Sequence, residues 1–151
     1  MILVLNGPNL NLLGTREPDI YGTMTLEALS AKCELWGKDV GFGTTSRQSN
    51  SESQLIDWIH RAQKDGFYGV ILNAGGLTHT SVALRDAIAG VAIPIVEVHL
   101  SNVHSREPFR HQSTIAGVCL GSIAGFGPIG YQAAILCLSQ HLNDNQLEAP
   151  I

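Results

Sequence analysis

Three stretches of this chain carry side chains able to move protons or hold charge. The first is Asn6 to Gly22, NGPNLNLLGTREPDIYG, with Asn9, Arg16, Glu17 and Tyr21. The second follows an apolar run and holds Asn73, Gly75, Gly76 and His79. The third, IPIVEVHLSNVHSREPFR, holds Glu97, His99, Ser101, Asn102, Arg106 and Arg110. Glu97-x-His99 places a carboxylate and an imidazole on one face of an extended strand. A carboxylate beside an imidazole favours its protonated form and fixes the ring, which suits a general acid. Taken alone, the pair reads better as a structural ion pair at a strand end. Tyr21 offers a phenol, whose reference pKa of about 10 makes it a poor base at neutral pH. A nearby guanidinium would favour the phenolate. Arg16 shares its stretch, and Arg106 or Arg110 can approach from the third group. Tyrosine beside arginine is commonly surface stacking, but the long loop around Tyr21 favours chemistry. His79 suits binding of a ligand hydroxyl, while Thr78 and Thr80 read as helix caps. Ser101 and the N–H groups around it suit either an anion or a turn.

The elements that must position these groups follow from periodicity. Met1 to Leu5 is an apolar run expected as a buried strand. The stretch after it is broken by Gly7, Pro8, Gly14, Pro18 and Gly22, so neither helix nor strand is expected there. Its length exceeds the usual strand-to-helix connection of about 2–6 residues, so it reads as an active-site loop able to close as a lid. Thr25 to Gly37 predicts a helix capped by Thr25, with Leu26, Leu29, Cys33 and Trp36 on one face. Phe42 to Gln48 reads as a weaker strand. Ser51 to Gly66 predicts a helix opened by a Ser-x-x-Gln capping box and closed at Gly66. Its buried stripe is Leu55, Ile59 and Ala62, with His60 beside it as a structural histidine. Tyr68 to Asn73 reads as a central parallel strand, and Thr80 to Gly90 as a helix. Ile93 to Leu100 is the next strand, Ser101 to Ser113 a loop, and Val118 to Leu120 a short fifth strand. Ile129 to Leu142 is the last helix, followed by a frayed polar tail.

This alternation predicts an α/β fold: a flavodoxin-like, doubly wound, five-stranded parallel sheet in a three-layer α/β/α sandwich. Ligands in such sheets bind beyond the carboxyl ends of the strands. All three chemical stretches fall at those ends, so they are expected to meet.

Composition narrows the classes. The 151 residues, with 44% hydrophobic and 15% charged, suit one globular domain over 1–151 rather than a disordered chain. A net charge of −4 without a basic stripe argues against nucleic acid. Cys33, Cys119 and Cys137 form no CxxC pair and read as reduced core thiols. No apolar run reaches the roughly 18 residues of a membrane span, and the first run is too short for a signal peptide, so a cytoplasmic protein is expected. GFGPIG at Gly125 to Gly130 matches the dinucleotide fingerprint by letters. With no second βα unit and no strand-borne acid about 20 residues on, it is discounted. The chain has no GxxxxGK[ST] loop and no GxSxG elbow. His99, His104 and His111 with Glu97 form no familiar metal spacing and leave a minor metal reading. No lysine follows a strand end, which disfavours Schiff-base chemistry.

Four motifs, NGPNLNLLGTREPDIYG, SNSESQLIDWIH, LNAGGLTHTSVALRDAI and VEVHLSNVHSREPFR, resemble those of the type II 3-dehydroquinate dehydratases, in order and over nearly the whole chain. The resemblance implies anti elimination of water from 3-dehydroquinate through an enolate, giving 3-dehydroshikimate. It implies no metal or organic cofactor, and a homododecamer built from trimers. By position, Tyr21 resembles the base and Asn9 the group that stabilises the enolate through an ordered water. Arg16 resembles the lid arginine that activates the tyrosine, with Arg106 nearby. His99, oriented by Glu97, resembles the acid for the departing hydroxyl. Asn73, His79 and Arg110 resemble the groups holding ring hydroxyls, and Leu100 and Ser101 the carboxylate site. Asp86 resembles a residue that reaches the neighbouring subunit's site. The chain departs from the family's usual NPGAYTHTS at Ala74-Gly75-Gly76-Leu77. The missing proline is expected to loosen that turn, and the missing tyrosine to remove a wall or an interface contact. Competing classes are a non-catalytic flavodoxin-like binding module and a metal-dependent hydrolase. The acid–base set of Tyr21, Arg16 and His99 argues against a binding module.

Overall fold

Ile2, Leu3, Val4 and Leu5 point alternately to the two faces of a sheet, and none is exposed to solvent. Apolar cover is therefore needed on both sides, and helices supply it. The computed structural model describes residues 1–147. Five strands, β1 (Ile2–Asn6), β2 (Thr44–Gln48), β3 (Gly69–Asn73), β4 (Ile95–His99) and β5 (Gly121–Ala124), form a parallel sheet in the order β2-β1-β3-β4-β5. One face is closed by α2 (Leu26–Asp39) and α5 (Ile129–Leu147), packed over Ile2, Val4, Ile71, Val96 and Val98. The other is closed by α3 (Glu52–Arg61) and α4 (Val82–Ala89), over Leu3, Leu5, Val70, Leu72 and Ile95. This is the expected doubly wound α/β/α arrangement.

Two caps follow the sequence and one does not. Thr25 Oγ1 accepts from Ala28 N, and Ser51 Oγ accepts from Gln54 N. The expected capping box at Ser51 is only half formed, because Ser51 N donates to Ser49 Oγ. For α4 the cap is Ser81, accepting from Leu84 N at 2.9 Å, rather than a threonine. Thr80 has already entered the preceding turn and donates to Gly76 O.

Several boundaries shift for identifiable reasons. The first loop is not devoid of helix: Leu10–Leu12 is a 3-10 turn and α1 (Pro18–Tyr21) is a single α-turn. Pro18 at the first helical position gives up no bond that the turn needs. The fifth strand begins at Gly121, because Ala116–Val118 is drawn into a 3-10 turn. Helix α5 runs on past Leu142, with Gln140 donating to Asp144 and Asn145 paired with His141 one turn apart. The tail expected to fray after Asn143 is thus helical to Leu147, and residues 148–151 lie outside the described residues. His60 is exposed rather than structural, and Cys137 is exposed rather than in the core. Burial pushes the Cys33 and Cys119 thiols up to about 12. Among the described residues no helix is long and apolar enough to cross a membrane.

The GFGPIG stretch joins β5 to α5. Gly125 (φ +96°) lies so close to Asn102 that an added Cβ would meet it at 3.2 Å. Gly127 N donates to Leu100 O at 2.9 Å. The stretch therefore braces the segment after β4.

Candidate active site

The carboxyl ends of β1, β3 and β4 lie side by side, so whatever follows these strands meets at one edge of the sheet. There a cavity of about 130 Å³ is bounded by the first loop, the turn after β3 and the segment after β4. Asn9, Arg16, Tyr21, Asn73, His79, His99, Leu100, Ser101, Arg106 and Arg110 all line it. Two anticipated residues do not. Glu97 lies behind His99, fully buried, and Asp86 is exposed on α4 beside Arg85.

The histidine side is rigidly built. Glu97 and His99 occupy alternate positions of β4, so their side chains share a face. His99 is 8% exposed, and its Nε2 meets Glu97 Oε1 at 2.8 Å. Glu97 also accepts from Ser113 Oγ at 2.7 Å and from Ser122 Oγ at 2.8 Å. Burial pushes this carboxyl up, but the hydrogen bonds from His99, Ser113 and Ser122, with the charge of His99, outweigh it. The net result is an acid held below the usual carboxylate range. An ionised carboxylate only accepts, so His99 Nε2 carries a proton and Nδ1 is left for an occupant of the cavity. When protonated, that ring is an imidazolium with a second N–H to give, and Glu97 stabilises it.

His79 follows the same logic. Its Nδ1 lies 2.7 Å from the Gln112 carbonyl, which can only accept. In the neutral ring, Nε2 is therefore an acceptor for a hydroxyl. The His79 and His99 rings stack with centroids 6.3 Å apart.

Tyr21 ends α1 and is half-buried. Arg106 Nη1 donates to its hydroxyl oxygen at 2.6 Å, and the Arg106 Cζ lies 5.3 Å from the ring centroid. Arg16 Cζ lies at 5.7 Å, but its guanidinium pairs with Glu17 at 3.2 Å. The direct contact with the phenol thus comes from Arg106, across the cavity, rather than from Arg16 on the same loop. Arg106 also donates to Ser101 Oγ at 3.4 Å, which ties the tyrosine to the segment after β4. Arg110 Nε pairs with Glu107 at 2.6 Å.

Beneath the cavity lies a polar network that sequence reasoning missed. Asn6 and Asn73 end adjacent strands in register. Tyr131, on α5 and fully buried, donates to Asn6 Oδ1 at 2.7 Å and accepts from Asn73 Nδ2 at 2.9 Å. Asn73 Oδ1 in turn accepts from Gly75 N at 3.2 Å. Burial raises the Tyr131 phenol well above its ordinary value, which keeps it protonated for this task. The available signal was a tyrosine within an apolar helix stripe, because a buried phenol needs partners.

The turn after β3, which lacks the family's proline, packs tightly against the first loop. Gly75 adopts φ +58° with an added Cβ meeting Pro8 O at 2.9 Å, and a Cβ on Gly7 would meet Ala74 O at 2.7 Å. The two loops interlock through glycine backbones. Leu77 packs into the core with Leu84 and Ile88 and does not line the cavity. The backbone of Asn9, in a left-handed conformation at φ 70°, is pinned by Asn50 Oδ1 at 2.9 Å. Among the described residues, no group of three or more His, Cys, Asp or Glu side chains is placed to hold a metal ion.

The arrangement can take a proton with Tyr21, give one from His99 and hold hydroxyls and an anion between them. Known proteins resemble the chain that carries it. The profile described as dehydroquinase class II matches residues 1–139. The 3-dehydroquinate dehydratase of Thermus thermophilus is 53% identical over 142 residues, covering 94% of this chain and 95% of that one. That of Deinococcus radiodurans is 55% identical over 142 residues, covering 94% and 99%. The crystal structure of the type II dehydroquinase from Butyrivibrio crossotus superimposes with a TM-score of 0.89 at 46% identity, covering 91% of this chain and 95% of that one. A fold and a sequence shared over this length leave one placement: the chain belongs to the class II dehydroquinase family.

Proposed function

We propose that this chain removes water from 3-dehydroquinate to give 3-dehydroshikimate, the lyase step its family contributes to the shikimate pathway. The single observation that carries the reading is Tyr21 and His99 lining one cavity, the first beside a guanidinium and the second backed by a carboxylate.

Tyr21 takes the proton from the carbon next to the ketone. That carbon is a weak acid, so the enolate needs stabilisation as it forms. Asn9 supplies this through a bound water, and the charge on the tyrosyl oxygen is met by Arg106, assisted by Arg16 when the loop closes. His99, as imidazolium, then protonates the hydroxyl that leaves from the other face, so the elimination is anti. Glu97 stabilises the charged ring before transfer and fixes its direction. Asn73, His79 and Arg110 hold the ring hydroxyls, and the Leu100–Ser101 segment holds the carboxylate. The chemistry is proton transfer throughout and calls on no metal, organic cofactor or Schiff base.

The chain functions as one domain over residues 1–151, in the cytoplasm, as a homododecamer built from trimers. Exposed Asp86 completes a neighbouring subunit's site. Nucleic acid and membrane play no part. The test is to add 3-dehydroquinate and follow the conjugated enone absorbance, with and without chelator. Activity that survives chelation is expected. No enone, or activity abolished by chelator, refutes the reading.

A further inference from the structure

Ser113 and Ser122 have no place in the mechanism above, yet both donate to the carboxylate behind the acid. Ser113 Oγ accepts from Ile115 N at 3.3 Å and from Ala116 N at 3.0 Å, at the 3-10 turn that precedes β5. Those two bonds occupy both lone pairs of the hydroxyl. Its one proton has a single place to go, and Glu97 Oε1 lies 2.7 Å away. Ser113 is thus an obligate donor, with its direction set by two backbone amides. Glu97 Oε1 receives that proton and must also receive one from His99 Nε2. Ser122, on the outer strand β5, closes the second carboxylate oxygen at 2.8 Å.

We infer that Ser113, aided by Ser122, is a positioning residue that locks the direction of every proton from the backbone of residues 115–116 to His99. The lock keeps both Glu97 oxygens accepting, which tightens the hold of the ionised carboxylate on the Nε2–H form of His99 and leaves Nδ1 to the cavity. The inference rests on the lyase reading for its consequence in turnover, while the tautomer itself is independent of any substrate.

Other charged groups around Glu97 do not replace the serines. Among the described residues, His79, His104, Arg110 and His111 share with Glu97 and His99 a second cavity of about 220 Å³ behind the acid. None of these four hydrogen-bonds the carboxylate. His79 is directed to Gln112 O, His111 to Arg106 O, and Arg110 to Glu107. The Cys119 thiol is kept protonated, in part by the charge of Glu97 itself.

The experiment uses the full chain and two readouts. Proton-detected 15N NMR of labelled histidine reads the His99 tautomer without substrate. The wild type is expected to show the Nε2–H form, and Ser113→Ala the same form with its Nε2–H resonance shifted and exchanging faster with solvent, with Ser113→Thr restoring the wild-type signal. With 3-dehydroquinate, Ser113→Ala is expected to lose about tenfold in kcat with KM nearly unchanged. Its acidic limb of the kcat profile should move to higher pH, because Glu97 has lost a donor that held it ionised. Ser122→Ala should show the same shift more weakly. An Nε2–H resonance unchanged in Ser113→Ala, or an unmoved acidic limb in a folded Ser113→Ala enzyme, overturns the inference. A wild type with the predicted tautomer but no lyase activity sinks the lyase reading alone.

Discussion

The two proton-handling sides of the cavity are built in opposite ways. His99 sits at the end of a fully buried strand, and Glu97 behind it is fixed by three donors from three parts of the chain. Tyr21 sits on a one-turn helix in a loop with two non-glycine residues in left-handed conformations, Asn9 and Glu17. Its hydroxyl is held by one guanidinium, and four residues around it (Arg16, Glu17, Pro18 and Asp19) lie wholly or partly in solvent. The proposed acid, His99, is part of the frame, whereas the proposed base, Tyr21, stands on a loop at the cavity mouth. A leaving-group acid must be aimed and protonated before substrate arrives, so rigidity serves it. A base on a loop lets substrate enter and is completed by closure.

The contrast can be broken most decisively at the base. Tyr21→Phe removes the proton acceptor while keeping the ring, and kcat should fall by about a thousandfold or more, within the general-base range. Near-normal turnover in that variant would remove Tyr21 from the mechanism. Next in size is the frame: Glu97→Gln keeps the shape but takes the charge from behind His99. A loss of about a hundredfold in kcat is expected, with KM changed far less. The same pair of proteins sharpens the comparison through pH. The folded Glu97 carboxyl lies below its ordinary value, so its contribution to stability is present above about pH 4.3 and is lost as pH falls through the folded value. Urea unfolding from pH 6 to pH 3 should show the wild type losing an increment of stability that Glu97→Gln does not lose.

A smaller effect separates the two arginines. Arg106 touches the phenol and Arg16 pairs with Glu17, so Arg106→Ala should cost several-fold more in kcat/KM than Arg16→Ala. Equal losses, or a larger one at Arg16, would indicate that loop closure exchanges their places. The smallest effect lies beneath the cavity. Tyr131→Phe leaves Asn6 and Asn73 each short of a partner and should cost about 1–3 kcal/mol of stability. Chemical denaturation measures this, with a modest rise in KM as Asn73 loses its fixed orientation.

Much of this was legible in the chain because it rests on local periodicity. The alternation in IVEVH places Glu97 and His99 together, and the glycines and prolines before Tyr21 announce a loop. Other features depend on partners far along the sequence. Tyr131 reaches Asn6 across 125 positions, and Ser122 reaches Glu97 across 25. No spacing rule announces such meetings; the register of the sheet creates them. Val118 looks strand-like but is drawn into a turn, while GSIA, with little apolar character, forms β5. Pro18 looks like a breaker in the sequence, yet it stands where a helix begins. Sequence leaves Arg16, Arg106 and Arg110 all able to approach Tyr21; the fold puts Arg106, the one 85 positions away, on the phenol.

Tyr131, near the end of the chain, has a consequence for how the molecule is made. A nascent polypeptide stalled before residue 129 holds every group assigned here to proton transfer, but not the phenol that keeps Asn73 in place beside Gly75. Competence is therefore expected only once α5 has been made and has docked on the sheet. Fragments released early should be unable to process substrate even where their strands have paired.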